Sequence, residues 1–203
     1  MKKIIFIMCV SILLAICGCA QKSKQSKGDQ GTTLITETTS KEQLYTAYNI
    51  WIMKFWNMKC INYKNRNNIL PAGTKVQHVG IGKNRDEMGP HIYFETDEGE
   101  RSFQIGFVNR WHPGKTIQDY KNYMFTNKNF KQLTEGLSEL EIDAIRRGTV
   151  VNGMSKKAVL ISYGYPPEHR TSSLKNRTWI YWKNKYGTLR VCFDENERTV
   201  RCP

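Results

Sequence analysis

Helix stops and starts crowd the last third of this chain. Ser138-Glu139-Leu140-Glu141 is a capping-box pattern, in which the N-cap hydroxyl and the carboxylate three residues on satisfy each other's free backbone N–H groups. Leu140, Ile142 and Ile145 supply an apolar stripe, and Gly148 ends the helix. Ser155 caps a second helix that runs through Val159 and stops at Gly164, with Pro166 and Pro167 close behind. Thr178–Trp182, Thr188–Phe193 and 198–202 then read as strands, the last two joined by an Asp194-Glu195-Asn196-Glu197 turn. Two short helices followed by a three-stranded meander predict a small ααβββ two-layer domain over 136–203, of α+β class.

The order of residues in that segment carries a resemblance. Ile145 and Gly148, then Gly153-Met154-Ser155, Val159, Gly164-Tyr165-Pro166, Trp179 with Tyr181, and Val191 with Phe193-Asp194 resemble the SmpA/OmlA (BamE) family of small outer-membrane lipoproteins. The resemblance covers about a third of the chain. It implies an ααβββ fold and a part in protein–protein contact during outer-membrane protein assembly. Most of the matching residues are structural, since Val159, Leu160, Trp179, Tyr181, Val191 and Phe193 are expected to fill a helix–sheet core. Gly153 is expected to turn the chain before the cap, and Gly164 to take positive φ. A partner surface shared with the family is therefore expected on exposed loops and faces: Tyr165, Pro167, His169 and Arg170 after the second helix, and Lys183, Lys185 and Arg190 on the sheet.

The other end of the chain bears on location. Met1-Lys2-Lys3 is a basic head, and residues 4–16 are apolar except for Ser11. A basic head and short apolar run before small residues mark a secretory signal; a membrane span needs about 20 apolar residues. Ile16-Cys17-Gly18-Cys19 resembles the bacterial lipobox, which implies cleavage after Gly18 and lipid on the Cys19 sulfur. Each buried methylene of such an anchor contributes about 0.8 kcal/mol, and two or more chains hold firmly. Ala20, where an Asp favours inner-membrane retention, points to the periplasmic face of the outer membrane. Residues 1–18 are thus read as the signal and 19–41 as lipidated cysteine and tether. The Lys-, Ser-, Gln- and Thr-rich tether lacks the apolar residues a core requires and would reach about 25 Å.

Residues 42–132 read as a β-rich domain. In 42–60, Tyr45, Tyr48, Trp51, Phe55 and Trp56 join apolar neighbours at helical spacing, although a strand over 56–63 also fits; either way the segment is core. His91–Thr96 and the alternation Phe103, Ile105, Phe107 flank an Asp97-Glu98-Gly99 turn and predict a hairpin. The phrase Leu70-Pro71-Ala72-Gly73-Thr74-Lys75-Val76 resembles an SH3-like barrel of the bacterial envelope type. A short helix is expected over 116–125.

Of 203 residues, 185 remain after the 18-residue signal, and the net charge of +13 falls to +11 without Lys2 and Lys3. That excess draws the chain to anionic surfaces, lipid headgroups or cell wall; export argues against nucleic acid. Cys60, Cys192 and Cys202 remain; the last two can pair across the final hairpin if the register allows, leaving Cys60 a free thiol. His78, His91, His112 and His169 show no metal spacing, and no cofactor motif is present. A Cys-His cell-wall hydrolase built on Cys60 with His78 or His91 is the enzymatic rival, but Met58-Lys59-Cys60-Ile61-Asn62 lacks a nucleophile motif, so no catalysis is expected. The expectation is a lipid-anchored scaffold that binds another envelope protein, with peptidoglycan or anionic lipid as the alternative ligand.

Overall fold

A computed structural model describes residues 42–53, 57–64, 68–82, 89–96, 99 and 101–203. The signal, Cys19 and the tether, together with Phe55, Trp56 and most of the Asp97–Glu100 turn, lie outside the described residues. The chain is of mixed α+β class.

Alternation builds the larger sheet. Ile92, Phe94 and Thr96 of β6 (His91–Thr96) and Phe103 and Ile105 of β7 (Ser102–Gly106) point inward, while the residues between them face out. The strands pair antiparallel with Phe94 opposite Phe103, their rings stacked at 5.1 Å. β5 (Lys75–Gly82) adds on the far side of β6, with a register shift between Gln77 and Gly80 where His78 takes φ 52°. β1 (Leu44–Thr46) and β8 (Phe125–Thr126) continue the sheet beyond β5, and β3 (Asn57–Lys59) pairs parallel with β7. The order is β3-β7-β6-β5-β1-β8. Helix α1 (Ile117–Met124) starts at a Thr116–Asp119 capping box and lays Tyr120 and Met124 into this core.

A second hydrophobic cluster lies beneath the C-terminal sheet. β9 (Thr178–Trp182), β10 (Thr188–Phe193) and β11 (Thr199–Val200) form the antiparallel order β11-β10-β9. Trp179, Tyr181, Val191 and Phe193 pack inward against Ala144 and Ile145 of α3 (Glu139–Arg146) and Ala158 and Val159 of α4 (Lys156–Tyr163). Leu160 sits at the cluster's half-buried edge. A one-turn helix, α2 (Phe130–Leu133), precedes α3.

One carboxylate starts both of the last two helices. Glu141 accepts from the Ser138 N–H and Oγ–H in its own capping box, and from the Ser155 N–H (2.8 Å) and Oγ–H (2.7 Å) at the start of α4. Arg198 adds a fifth donor at 3.3 Å. Burial works to raise the Glu141 pKa, but the hydrogen bonds from Ser155 and Ser138 outweigh it and hold the carboxyl at about 2, against an ordinary 4.5.

Residues 44–53 hold no helix. The segment is extended, with β2 (Ile50–Trp51) pairing with β4 (Ile69–Leu70). The helical spacing misleads for a physical reason. Tyr48, Ile50 and Ile52 enter the first cluster, while Asn49 and Trp51 face the second, so both faces of a strand are buried and the apolar run shows no alternation.

Asn49, 2 % exposed, is the principal polar contact at that seam. Its N–H donates to Ile161 O, its Nδ2 donates to Ile145 O at 2.7 Å, and its Oδ1 accepts from Ala72 N–H at 2.8 Å. Asn62, at φ 49°, accepts from Trp51 N–H and donates to Asn49 O. Gly164 has φ 77°, and a Cβ there would meet the Tyr48 ring at 2.7 Å. Glycine is required by backbone and neighbour alike.

Candidate functional site

The loop after α4 folds inward. Tyr165 is half-buried and stacks on Tyr123 of α1 at 4.1 Å. Pro167 is buried, which corrects its assignment to a partner surface: the loop turns back on itself there, the Pro167 carbonyl accepting from Arg170 and Thr171 N–H. Glu168 hydrogen-bonds through Oε2 to Nδ1 of His112, which is 1 % exposed between Phe107 and Tyr120. His169 is half-buried; its Nδ1–H donates to Trp111 O at 2.9 Å and its Nε2 accepts from Trp182 Nε1–H at 3.3 Å. Those two bonds place the proton on Nδ1. Tyr165, Glu168 and His169 therefore form a clasp between the two clusters.

Arg170, Lys183, Lys185 and Arg190 remain exposed. Directly opposed residues in an antiparallel pair share a face, so Arg190 with Ile180, Thr188 with Trp182, and Cys192 with Val200 lie together on the outer face of the sheet. The Arg170 guanidinium stands 5.0 Å from the Trp182 ring centre. Lys183 and Lys185 lie at the β9–β10 turn, where Tyr186 is 83 % exposed. Cys192 and Cys202 are joined by a disulfide that ties the C-terminal tail to this face, and Arg190 Nη2 donates to Pro203 O at 2.8 Å.

Cys60 is a free thiol, 2 % exposed, and burial pushes its pKa up to about 12. A nucleophilic cysteine needs a thiolate. His78 pairs instead with Glu95 at 2.8 Å, and no hydrogen bond joins Cys60 to a histidine among the described residues. The Cys60 backbone is tied on both sides, its N–H donating to Gly106 O at 3.0 Å and its carbonyl accepting from Tyr120 O–H, which in turn accepts from Tyr48 O–H. No group of three or more His, Cys, Asp or Glu side chains among the described residues is placed to hold a metal, and no described helix is long and apolar enough to cross a membrane.

Lys64 gave no signal in the sequence. Its amine donates to Asn62 O and stands 4.3 Å from the Trp51 ring centre, with Tyr163 and Tyr181 at 5.8 and 5.5 Å. Burial pulls its pKa well below the ordinary lysine value. Two of these rings, Tyr163 and Tyr181, lie more than 90 residues away along the chain, as does the Ile145 carbonyl that Asn49 meets, and no local pattern reports such partners.

No protein-family model, no curated protein and no solved structure matches the chain.

Proposed function

We propose that this chain is an envelope lipoprotein, anchored through lipid on Cys19 at the periplasmic face of the outer membrane, that binds another envelope protein through the outer face of β9–β11. The supporting observation is the charge on that face. Residues 169–193, the first two strands with the loop that leads into them, contain six Lys and Arg (Arg170, Lys175, Arg177, Lys183, Lys185, Arg190) and no Asp or Glu, with Arg177 reaching Glu195 at 3.8 Å. Among these cations stand Trp182, Ile180 and the exposed Leu174, Tyr186 and Val200. Aromatic and Arg side chains together on an open face are the composition of interface anchors, and the charge selects an acidic partner surface.

The succession α3, α4, β9, β10, β11 supports the SmpA/OmlA-like ααβββ reading of 136–203, and with it an adaptor role without catalysis. An SH3-like reading of 42–132 draws on the β5–β6–β7 meander, while the parallel β3–β7 pair counts against it.

The test is crosslinking of the anchored chain in its own cells, with mass spectrometry of the adducts. One dominant protein partner is expected, lost when Arg170, Lys183, Lys185 and Arg190 are changed to Glu. A partner retained by that variant, or recovery of peptidoglycan fragments alone, would overturn the assignment.

A further inference from the structure

A groove of about 410 Å³ opens where the two hydrophobic clusters meet, with the Tyr123–Tyr165 ring stack of the clasp in its lining and none of the basic residues of the sheet face. Its walls are α1, β8 and α2 on one side and α4 on the other, with Ala47 and Tyr48 between them. The volume lies in the usual range for a small-molecule site, and a seam between packed units is a usual place for one.

The lining is divided by polarity. The apolar part comes from Phe125, Leu133, Leu160 and Ile161, all buried or half-buried. The exposed part carries two ammonium groups, Lys128 and Lys157, and two amides, Asn122 and Gln132. No carboxylate lines the groove. Lys157 Nζ donates to the neutral Glu135 O at 2.7 Å, and no ion pair involves it among the described residues. The hydroxyl of Tyr48 is turned away to Tyr120, so the inner wall offers a ring surface rather than a hydrogen bond. An occupant matching this surface has an apolar body and a single anionic end.

An extended peptide fits less well. Strand addition needs a sheet edge of useful length, and the edge strand at the groove, β8, has two residues. A cationic amphiphile would meet two like charges at the rim.

We propose that this groove binds a free long-chain carboxylate, its chain against Phe125, Leu133 and Leu160 and its carboxylate between Lys128 and Lys157. The test uses the full chain in nanodiscs of zwitterionic phosphatidylcholine, labelled with a long-chain fatty acid bearing a photoreactive diazirine. Adducts are mapped by mass spectrometry after proteolysis. Labelling is expected within 122–133 and 157–165, and to fall at least tenfold when excess palmitate competes. The matching trimethylammonium amphiphile should not compete. The double variant Lys128→Glu/Lys157→Glu should lose labelling at least tenfold with its melting temperature unchanged; because both side chains are exposed, Lys128→Gln/Lys157→Gln serves as a gentler second variant and should lose it several-fold. Labelling spread along the chain, equal competition by the cationic amphiphile or by phosphatidylglycerol, or full labelling of both variants would overturn the proposal.

Discussion

Replacing Glu141 by Gln tests how the last two helices are started. The carboxylate takes five donors and is 3 % exposed, so it is not screened as a surface charge would be. A glutamine keeps one accepting oxygen and turns an NH₂ group toward donors at Ser155 or Ser138. The size of the effect follows from linkage. Folding lowers the carboxyl pKa from 4.5 to about 2, and each unit corresponds to 1.36 kcal/mol, so the ionised group contributes about 3 kcal/mol at pH 7. The sign is that of a depressed acid: the contribution is complete above pH 4.5 and is lost as pH falls through 2. At pH 3 about 1.4 kcal/mol of it should remain, and at pH 2 less than about 0.5. Urea unfolding followed by tryptophan fluorescence should therefore give Glu141→Gln a deficit of about 3 kcal/mol at pH 7 that is roughly halved at pH 3. In a domain of this size the deficit corresponds to about 6–12 °C in melting temperature. Other carboxylates titrate in both proteins, so the difference isolates this one. A deficit of the same size at pH 3 and pH 7, or one below about 0.5 kcal/mol at pH 7, would refute the reasoning.

Other substitutions test the seam. Asn49→Ala leaves Ile145 C=O and Ala72 N–H buried without their side-chain partner and should cost about 2–5 kcal/mol, read as a lower urea midpoint with unchanged slope. Gly164→Ala places a Cβ against Tyr48 at positive φ and should cost about 2–5 kcal/mol in the same measurement. Lys64→Met removes a buried amine with no carboxylate partner and should be neutral or stabilising by about 1 kcal/mol at pH 7. Because the folded-state pKa of Lys64 is lowered, the unfolded chain binds more protons between that value and 10.5, so the native protein gains stability from this group as pH rises toward 10; Lys64→Met should show no such gain. Cys60, with its thiol pushed up to about 12, should resist iodoacetamide at pH 8 in the folded protein and react on unfolding; modification of native protein at the rate of a free thiol would contradict its burial.

The residues read as a partner surface divide by exposure. Arg170, Lys183, Lys185 and Arg190 are exposed cations, as their position around the final strands suggests. Tyr165, Pro167 and His169 turn inward because that loop meets residues 107–123, and nothing within the loop records the distant contact. The lipid anchor, by contrast, is inferred from sequence alone, since Cys19 lies outside the described residues.

What the sequence determined by itself is local: Ser138 and Ser155 as caps, Gly148 and Gly164 as stops, the 91–106 hairpin and the final meander. Each rests on interactions within a few residues, so the residue types that make them sit side by side in the chain. What the tertiary structure decided is how the two clusters meet. The 44–53 segment is extended because it is buried from both sides, and that removes the alternation that would have marked it. Asn49 finds Ile145 across 96 residues, Glu141 finds Ser155 across 14, and Lys64 lies among the rings of Trp51, Tyr163 and Tyr181. A polar side chain in sequence carries no mark of whether it will face water or a distant backbone group; only the packing that excludes water makes that difference.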